Sequence, residues 1–317
     1  MGEDMRKKEK RSGAQASGLK LSTRIWRHRE YYLFLLPAVA YVAIFCYAPM
    51  YGLQIAFKDY KVSLGVSGSP WVGLQNFMDF FQGYYFWNLI RNTLVLSLYS
   101  LIAGFPIPII VALVLNELTP KFKKVTQTVL YAPHFISTVV IIGMITIFFS
   151  PSMGVVNTLL NGLGKESIYF CGDPKYFRHL YVWSGVWQGM GWGAIIYLAA
   201  LAGVDPGLHE AAAIDGASRM QRILHINIPC IMPTIIIMLI LQVGQIASVS
   251  YEKVYLMQNE LNMEVAEVIS TYVYKRGLIN NNYSFSTAVG LFNNVVNVIL
   301  VLTANQISKK CSDTSLF

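Results

Sequence analysis

Uncharged and charged stretches alternate along this chain with the spacing of a polytopic membrane protein. Six runs contain no Asp, Glu, Lys or Arg: Tyr31–Phe57, Asn92–Asn116, Val125–Gly164, His179–Val204, Ile223–Tyr251 and Gly277–Ser308. A helix needs roughly 20 mostly apolar residues to cross the hydrocarbon core, so each run has room for one crossing. Val125–Gly164 is long enough for two, but Ser150, Pro151, Gly154, Asn157, Asn161, Gly162 and Gly164 break its second half. The pattern predicts an all-α membrane protein with six transmembrane helices, at about 33–56, 93–116, 126–149, 181–203, 231–250 and 285–305. Pro106 and Pro108 should bend the second span, which is tolerable only where neighbouring helices satisfy the freed carbonyls. Between the first two spans, Gly65, Gly68, Ser69, Pro70 and Gly73 signal turns, and 76–85 alternates aromatic and polar residues like a helix lying along a surface.

Composition agrees. The chain of 317 residues is 54% hydrophobic and 13% charged, against about 25% charged in soluble domains. Charge placement sets orientation. The first 30 residues hold nine Lys and Arg and no apolar core with a small-residue cleavage site, so they are not a secretory signal. A basic arm can bind nucleic acid, but beside a span it sets topology, so no nucleic acid is expected as a partner. With the amino terminus inside, the inner segments carry 16 Lys and Arg and the outer ones 9. Both termini should be cytoplasmic in a multi-pass protein surrounded by membrane lipid. The chain divides into a basic tail (1–30), a transmembrane domain (31–306) and a short tail (307–317). Cys46, Cys171, Cys230 and Cys311 fall on different sides of the membrane, with no CxxC spacing for a metal.

Two apparent motifs dissolve on inspection. His209-Glu210 starts like HExxH, but Ala213 stands where the second histidine belongs, so no metal is expected. Gly164-Lys165 ends like a phosphate-binding loop, but Leu159 and Glu166 occupy the positions that need Gly and Ser or Thr. The chain has no nucleotide motif of its own and should not be an enzyme.

The informative segment lies between the fourth and fifth spans, at about 204–230. Asp205 suits an N-cap and Pro206 the first helical position. Ala211, Ala212 and Ala213 favour helix, and Gly216 can end it in a left-handed conformation. Ser218 can cap a second short helix that should stop before Pro229. Taken alone, this is a helix–turn–helix on the inner face, or an ordinary amphipathic connection.

Glu210-Ala211-Ala212, then Gly216, then Ile226-Asn227-Ile228-Pro229 resembles the EAA loop of binding-protein-dependent ABC importer permeases. Ile228 replaces a frequent leucine, and Ile223-Leu224 a frequent aromatic. Phe57-Lys58-Asp59-Tyr60, Trp71-Val72-Gly73-Leu74-Gln75-Asn76-Phe77, Tyr131-Ala132-Pro133-His134 to Ser137, and Trp187-Gln188 to Trp192 are similar to the carbohydrate branch, closest to its complex-polysaccharide subgroup. The resemblance implies a type I ABC importer permease bundle in the bacterial cytoplasmic membrane. It implies four further components: a second homologous permease subunit, two ATPase subunits that hold the ATP and Mg, and an extracytoplasmic solute-binding protein. Glu210, Ala211, Ala212, Asp215, Gly216 and Ala217 would couple this chain to an ATPase. The cargo would be a carbohydrate, an oligosaccharide or polysaccharide fragment.

A sugar path through lipid needs polar groups turned away from lipid. Gln242, Gln245 and Ser248 are three apart on the fifth span, Asn293, Asn294 and Asn297 share a side of the sixth, and the fourth carries Trp187, Gln188 and Trp192. Amides can bond sugar hydroxyls and rings can stack on sugar faces, but the same groups also glue helices together. The predicted spans hold no Asp, Glu, Lys or Arg, which argues against an ion-coupled carrier.

Overall fold

The structure is a computed structural model describing Trp26 and residues 29–311, with Cys311 described by its backbone. The basic arm before residue 29, Trp26 apart, and the tail beyond 311 lie outside the described residues. Elements are helical throughout, apart from an isolated bridge between Lys58 and Trp71. The chain forms two units, 1–54 and 55–317.

The first unit holds α1 (Arg29–Tyr41), a π turn over Val42–Tyr47 and the start of a 3-10 segment, Ala48–Phe57. Pro37 sits inside α1 and Pro49 in the 3-10 segment. Both remove ladder donors, and the chain answers with wider and tighter turns rather than a loop.

The second unit is the bundle. It contains α2 (Gln75–Phe81), α3 (Phe86–Gly104), α4 (Pro106–Asn116), α5 (Pro120–Tyr131), α6 (Thr138–Phe148), α7 (Val155–Gly162) and α8 (Pro174–Ala202). It continues with α9 (Pro206–Ile214), α10 (Arg219–Arg222), α11 (Ile228–Val243), α12 (Tyr251–Met257), α13 (Ile269–Tyr274) and α14 (Tyr283–Cys311). Pro106 does not end the second span. It starts α4 directly after α3, and Phe105 N–H still bonds the Leu101 carbonyl, because proline is harmless at a first helical position.

Helix α8 is central, packing on α3, α4, α5 and α11. Ala112, Leu113 and Leu115 meet Ala194, Tyr197, Leu198, Leu201 and Ile231 at the end that bears α9. At the opposite end, Leu96 meets Phe177, Val182 and Val254, and Phe80, Leu89, Ile269, Phe285 and Val289 form a further cluster.

Among the described residues five helices are long and apolar enough to cross a membrane, and α5 with α6 makes a sixth only as a pair bent by 96°. The sequence pattern placed one span over 126–149. Instead, α5 carries Lys121, Lys123 and Lys124, a 3-10 turn follows over Ala132–Phe135, and Ser137 caps α6. Pro133 weakens the ladder because it cannot donate, and the backbone leaves the helix at Ile136 and Ser137, which are extended. The fifth span also differs from the expected 231–250. Helix α11 ends at Val243, and residues 244–250 are irregular.

The aromatic motif near residue 71 proves architectural. Phe57 and Trp71 stack at 5.7 Å, Asn76 Nδ2 donates to the Ala56 and Lys58 carbonyls at 2.9 and 3.2 Å, and Gly73 has φ 63°. These contacts fold 55–77 into a cap, tied to α14 by Tyr60 N–H donating to Ser284 Oγ at 2.8 Å.

Glycine sets one close approach. A methyl at Gly191 on α8 would run into the Leu130 carbonyl of α5, whereas one at Gly189 meets nothing within 4 Å. Gly191→Ala is therefore expected to cost about 1–3 kcal/mol by overpacking. It should lower the thermal midpoint of the purified protein in size-exclusion thermostability measurements, and Gly189→Ala should leave it in place.

Candidate coupling loop and translocation path

The 205–222 loop is built by its caps. Asp205 Oδ1 accepts from Gly207 N–H at 2.9 Å, with Pro206 next, so α9 starts where the sequence reading put it. It ends through Gly216 at φ 76°, where Ala217 N–H bonds back to the Ala212 carbonyl at 2.9 Å. A left-handed residue closes a helix in this way, and a side chain there is strained. Ser218 and Gln221 then cap α10 reciprocally: Ser218 N–H donates to Gln221 Oε1 at 2.7 Å and Gln221 N–H to Ser218 Oγ at 3.3 Å.

The second helix does not stop before Pro229. A π turn over Ile223–Asn227 joins α10 to α11, with Ile228 N–H on the Ile223 carbonyl. The wide turn admits Pro229 without ending the helical path. Asn227, in this turn, is fully buried, and neither of its amide atoms has a partner.

No residue of α9 is buried. Glu210, Ala211, Asp215 and Gly216 are exposed, Ala212 and Ala217 partly so. Ile214 is 88% exposed, and Leu208 and Met220 are exposed too. Capped ends, small residues and bare aliphatic side chains make a surface shaped for another macromolecule.

The candidate path residues separate by what their polar atoms do. Gln188 Nε2 donates to the Ile136 carbonyl at 3.0 Å, and Trp192 stacks on His134 at 4.4 Å and 3°. The two motifs around 131–137 and 187–192 are thus partners that hold the bent α5–α6 pair against α8. Trp187 is 39% exposed, and Trp183 Nε1 donates to Tyr99, whose hydroxyl meets His179 Nδ1 at 2.8 Å. Asn297 spends both ends of its amide on the break after α11: Oδ1 accepts from Ala247 N–H at 3.1 Å and Nδ2 donates to Ser248 Oγ at 2.7 Å.

The rest line cavities. Gln242 and Gln245 share a 310 Å³ space with Ser97, Ser100 and Ser250. Asn293 and Asn294 line a 490 Å³ cavity with Tyr251, Ser270 and Tyr274. Tyr251 and Tyr274 stack at 5.1 Å, and Ser270 Oγ and Asn293 Oδ1 are buried without partners. Buried polar atoms of this kind are costly unless met by another group.

One polar residue escaped the sequence reading. Lys253 of α12, just past the expected fifth span, is 7% exposed. Its Nζ donates to the Tyr181 carbonyl at 2.8 Å and lies over the Tyr181 ring at 4.7 Å. Burial pushes its ammonium down to about 8. Hydropathy alone could not find it, because α12 folds back against α8. Arg91 and Arg178 likewise fall inside helices that run longer than the expected spans.

Asn297→Val should remove two hydrogen bonds and destabilise by about 1–3 kcal/mol, while Asn293→Val, which loses no Oδ1 bond, should change stability by less than about 0.5 kcal/mol. Thermal midpoints of the two variants check this.

Comparison with known proteins follows the same lines. Residues 104–312 match the family described as binding-protein-dependent transport system inner membrane component. Protein LplB of Bacillus subtilis (strain 168) is 44% identical over 95% of this chain and 95% of its own length. The polygalacturonan/rhamnogalacturonan transport system permease protein YteP of the same organism is 42% identical over 98% of this chain and 95% of its own. In the crystal structure of a bacterial alginate ABC transporter in complex with an alginate pentasaccharide-bound periplasmic protein, a chain 41% identical matches with TM-score 0.86. The match covers 94% of this chain and 100% of that one.

Proposed function

We infer, for a chain that belongs to the binding-protein-dependent transport system inner membrane components, that it is the permease subunit of an ABC importer for an oligosaccharide. The observation that carries the reading is the capped and uncovered α9–Gly216–α10 loop, fixed between two membrane helices.

On this reading both termini and α9 are cytoplasmic. An ATPase subunit seats the α9 helix against Glu210, Ala211, Ala212, Asp215, Gly216 and Ala217. ATP and Mg stay on the two ATPase subunits, and a second permease completes the path. A binding protein delivers sugar to the opposite face. Three relatives named for their cargo support carbohydrate: YteP, the alginate transporter, and the arabinooligosaccharides permease AraP of Bacillus subtilis (strain 168), 29% identical over 89% of this chain.

The Ser270–Asn293 cavity suits that cargo. It pairs stacked tyrosines with a hydroxyl and an amide oxygen that lack partners, and rings with free hydrogen-bonding groups are what a sugar requires. This cavity and the Gln242–Gln245 space are proposed as stations on the path. Gln188, Trp192 and Asn297 are proposed as its frame.

Reconstitution with the partner subunits tests the reading: uptake should require ATP, and ATP-independent uptake would overturn it. Glu210→Lys places a cation in the docking surface, and Gly216→Pro forces φ near −65° where the chain needs 76°. Each should cut ATP-driven uptake about 5- to 150-fold, the range of ordinary coupling energies, while the subunit still inserts. Undiminished uptake in both would remove the role given to the loop.

A further inference from the structure

A third cavity, of 710 Å³, opens at the end of the bundle opposite α9. It lies across α13 and the following π turn (Lys275–Ile279) from the Ser270–Asn293 cavity. Ser270, Val273 and Gly277 face one space, and Tyr272, Lys275 and Arg276 face the other. Its volume falls within the roughly 300–1,000 Å³ of small-molecule sites.

Its wall combines rings and amides with two cations, Lys275 and Arg276, and two carboxylates, Glu264 and Glu267. Tyr84 and Tyr85 stand edge to face at 5.1 Å, and Tyr85 is 6.4 Å from Tyr272. Asn88 and Asn280 supply amides. Asn92 is buried; its Nδ2 donates to the Glu264 and Glu267 carbonyls at 2.7 and 3.1 Å, and its Oδ1 accepts from Arg178 at 3.1 Å. Arg178 Nε is buried without a partner, and Arg91 is close enough to act on it electrostatically.

Lys275 is matched by Glu267 at 2.9 Å. That leaves the Glu264 carboxylate, which also lines the cavity and opposes an anion, against Arg276 in the wall, Arg178 behind it on Asn92, and Arg91 near Arg178. Among the described residues none of these three arginines has a carboxylate within ion-pair distance. The amino-terminal turn of α3, a helix of 19 residues, opens on the same space through Asn88 and Leu89. Its dipole adds positive potential there.

We propose that this outward cavity is a binding subsite for an acidic oligosaccharide, its rings carried by Tyr84, Tyr85 and Tyr272 and its carboxylates by the field of Arg276, Arg91 and Arg178. The proposal rests on the carbohydrate-import reading above and adds a site outside the membrane path. Planar tyrosines stack on sugar rings, amides bond hydroxyls, and guanidinium groups prefer carboxylate to any neutral partner.

The test uses the assembled permeases and ATPases in nanodiscs, without binding protein, and equilibrium dialysis of labelled tetragalacturonate and its carboxyl-reduced neutral galactose tetramer. The acidic tetramer should bind about tenfold more tightly, a preference that falls as salt rises. Arg276→Gln and the surface change Arg91→Gln should each weaken acidic binding about fivefold. Tyr272→Ala should weaken both tetramers and Gly189→Ala, whose methyl would meet nothing within 4 Å, neither. Equal affinity for the two tetramers, or acidic binding indifferent to Arg276→Gln and Arg91→Gln, overturns the subsite. ATP-driven uptake of neutral oligosaccharides without acidic binding also overturns the subsite and leaves the import reading standing. Arginine-dependent acidic binding with no ATP-driven carbohydrate uptake does the reverse.

Discussion

A backbone amide that leaves its helix inside hydrocarbon has no water to turn to, and each unmet group costs several kcal/mol. This chain breaks its α-helical ladder repeatedly, at 132–137, in the π turn at 223–227 and at 244–250. The bundle depends on side chains that stand in for the missing ladder. Gln188 reaches the Ile136 carbonyl at the first break, and Asn297 takes the Ala247 N–H at the last. Beyond it, Lys253 bonds the Tyr181 carbonyl, Gln258 the Ala266 carbonyl, and Asn262 the Cys171 and Met257 carbonyls. Asn157 does the same for 149–168, accepting from Ile168 N–H and donating to the Phe149, Ser150 and Ile168 carbonyls. Non-helical backbone survives here because side chains, most of them amides, stitch it to its neighbours.

That constraint divides the polar residues of the spans into two kinds. An amide with both ends bonded within the protein is part of the frame, as Asn297 and Asn92 are, each with one end on backbone and one on a side chain. An amide with a buried oxygen left open, as in Asn293, has capacity for something that arrives. Cavities follow from the breaks. Where α11 stops at Val243, α12 and α13 fold back toward α8 and α14, and the spaces beside them are lined by tyrosines and open amides.

Much of this was legible in the sequence, and what was not has a physical reason. The caps of α9 and α10 could be read because a cap is local: Asp205, Gly216 and Ser218 act within four residues of themselves. The all-helical class followed from uncharged runs that only a membrane explains. The bend of the third span escaped because mean hydropathy blurs a polar helix, α5, into the apolar one that follows. Pro133 was visible, but a proline marks either a kink or an end, and only the Gln188 and His134–Trp192 contacts to α8 decide which. The two kinds of amide were indistinguishable for the same reason: Asn293 and Asn297 sit one helical turn apart, and their partners lie about 50 residues away or are absent.

The frame also determines how the loop can act at a distance. Helix α9 is joined to α8 through Gly203, Val204 and the Asp205 cap, and to α11 through the capped turn at 215–218 and then a continuous helical path from α10. A force on α9 therefore has few bonds in which to dissipate before it reaches α11. Helix α11 ends at Val243, where the Gln242–Gln245 space begins, and its continuation is pinned to α14 by Asn297. Moving α11 along its axis must either break those bonds or carry α14, with Asn293 and Asn294, along with it. Bonds of about 1 kcal/mol each, acting together, make the second course the cheaper one. The amides that repair the backbone are thus the same ones that would make the cavity walls move as a set.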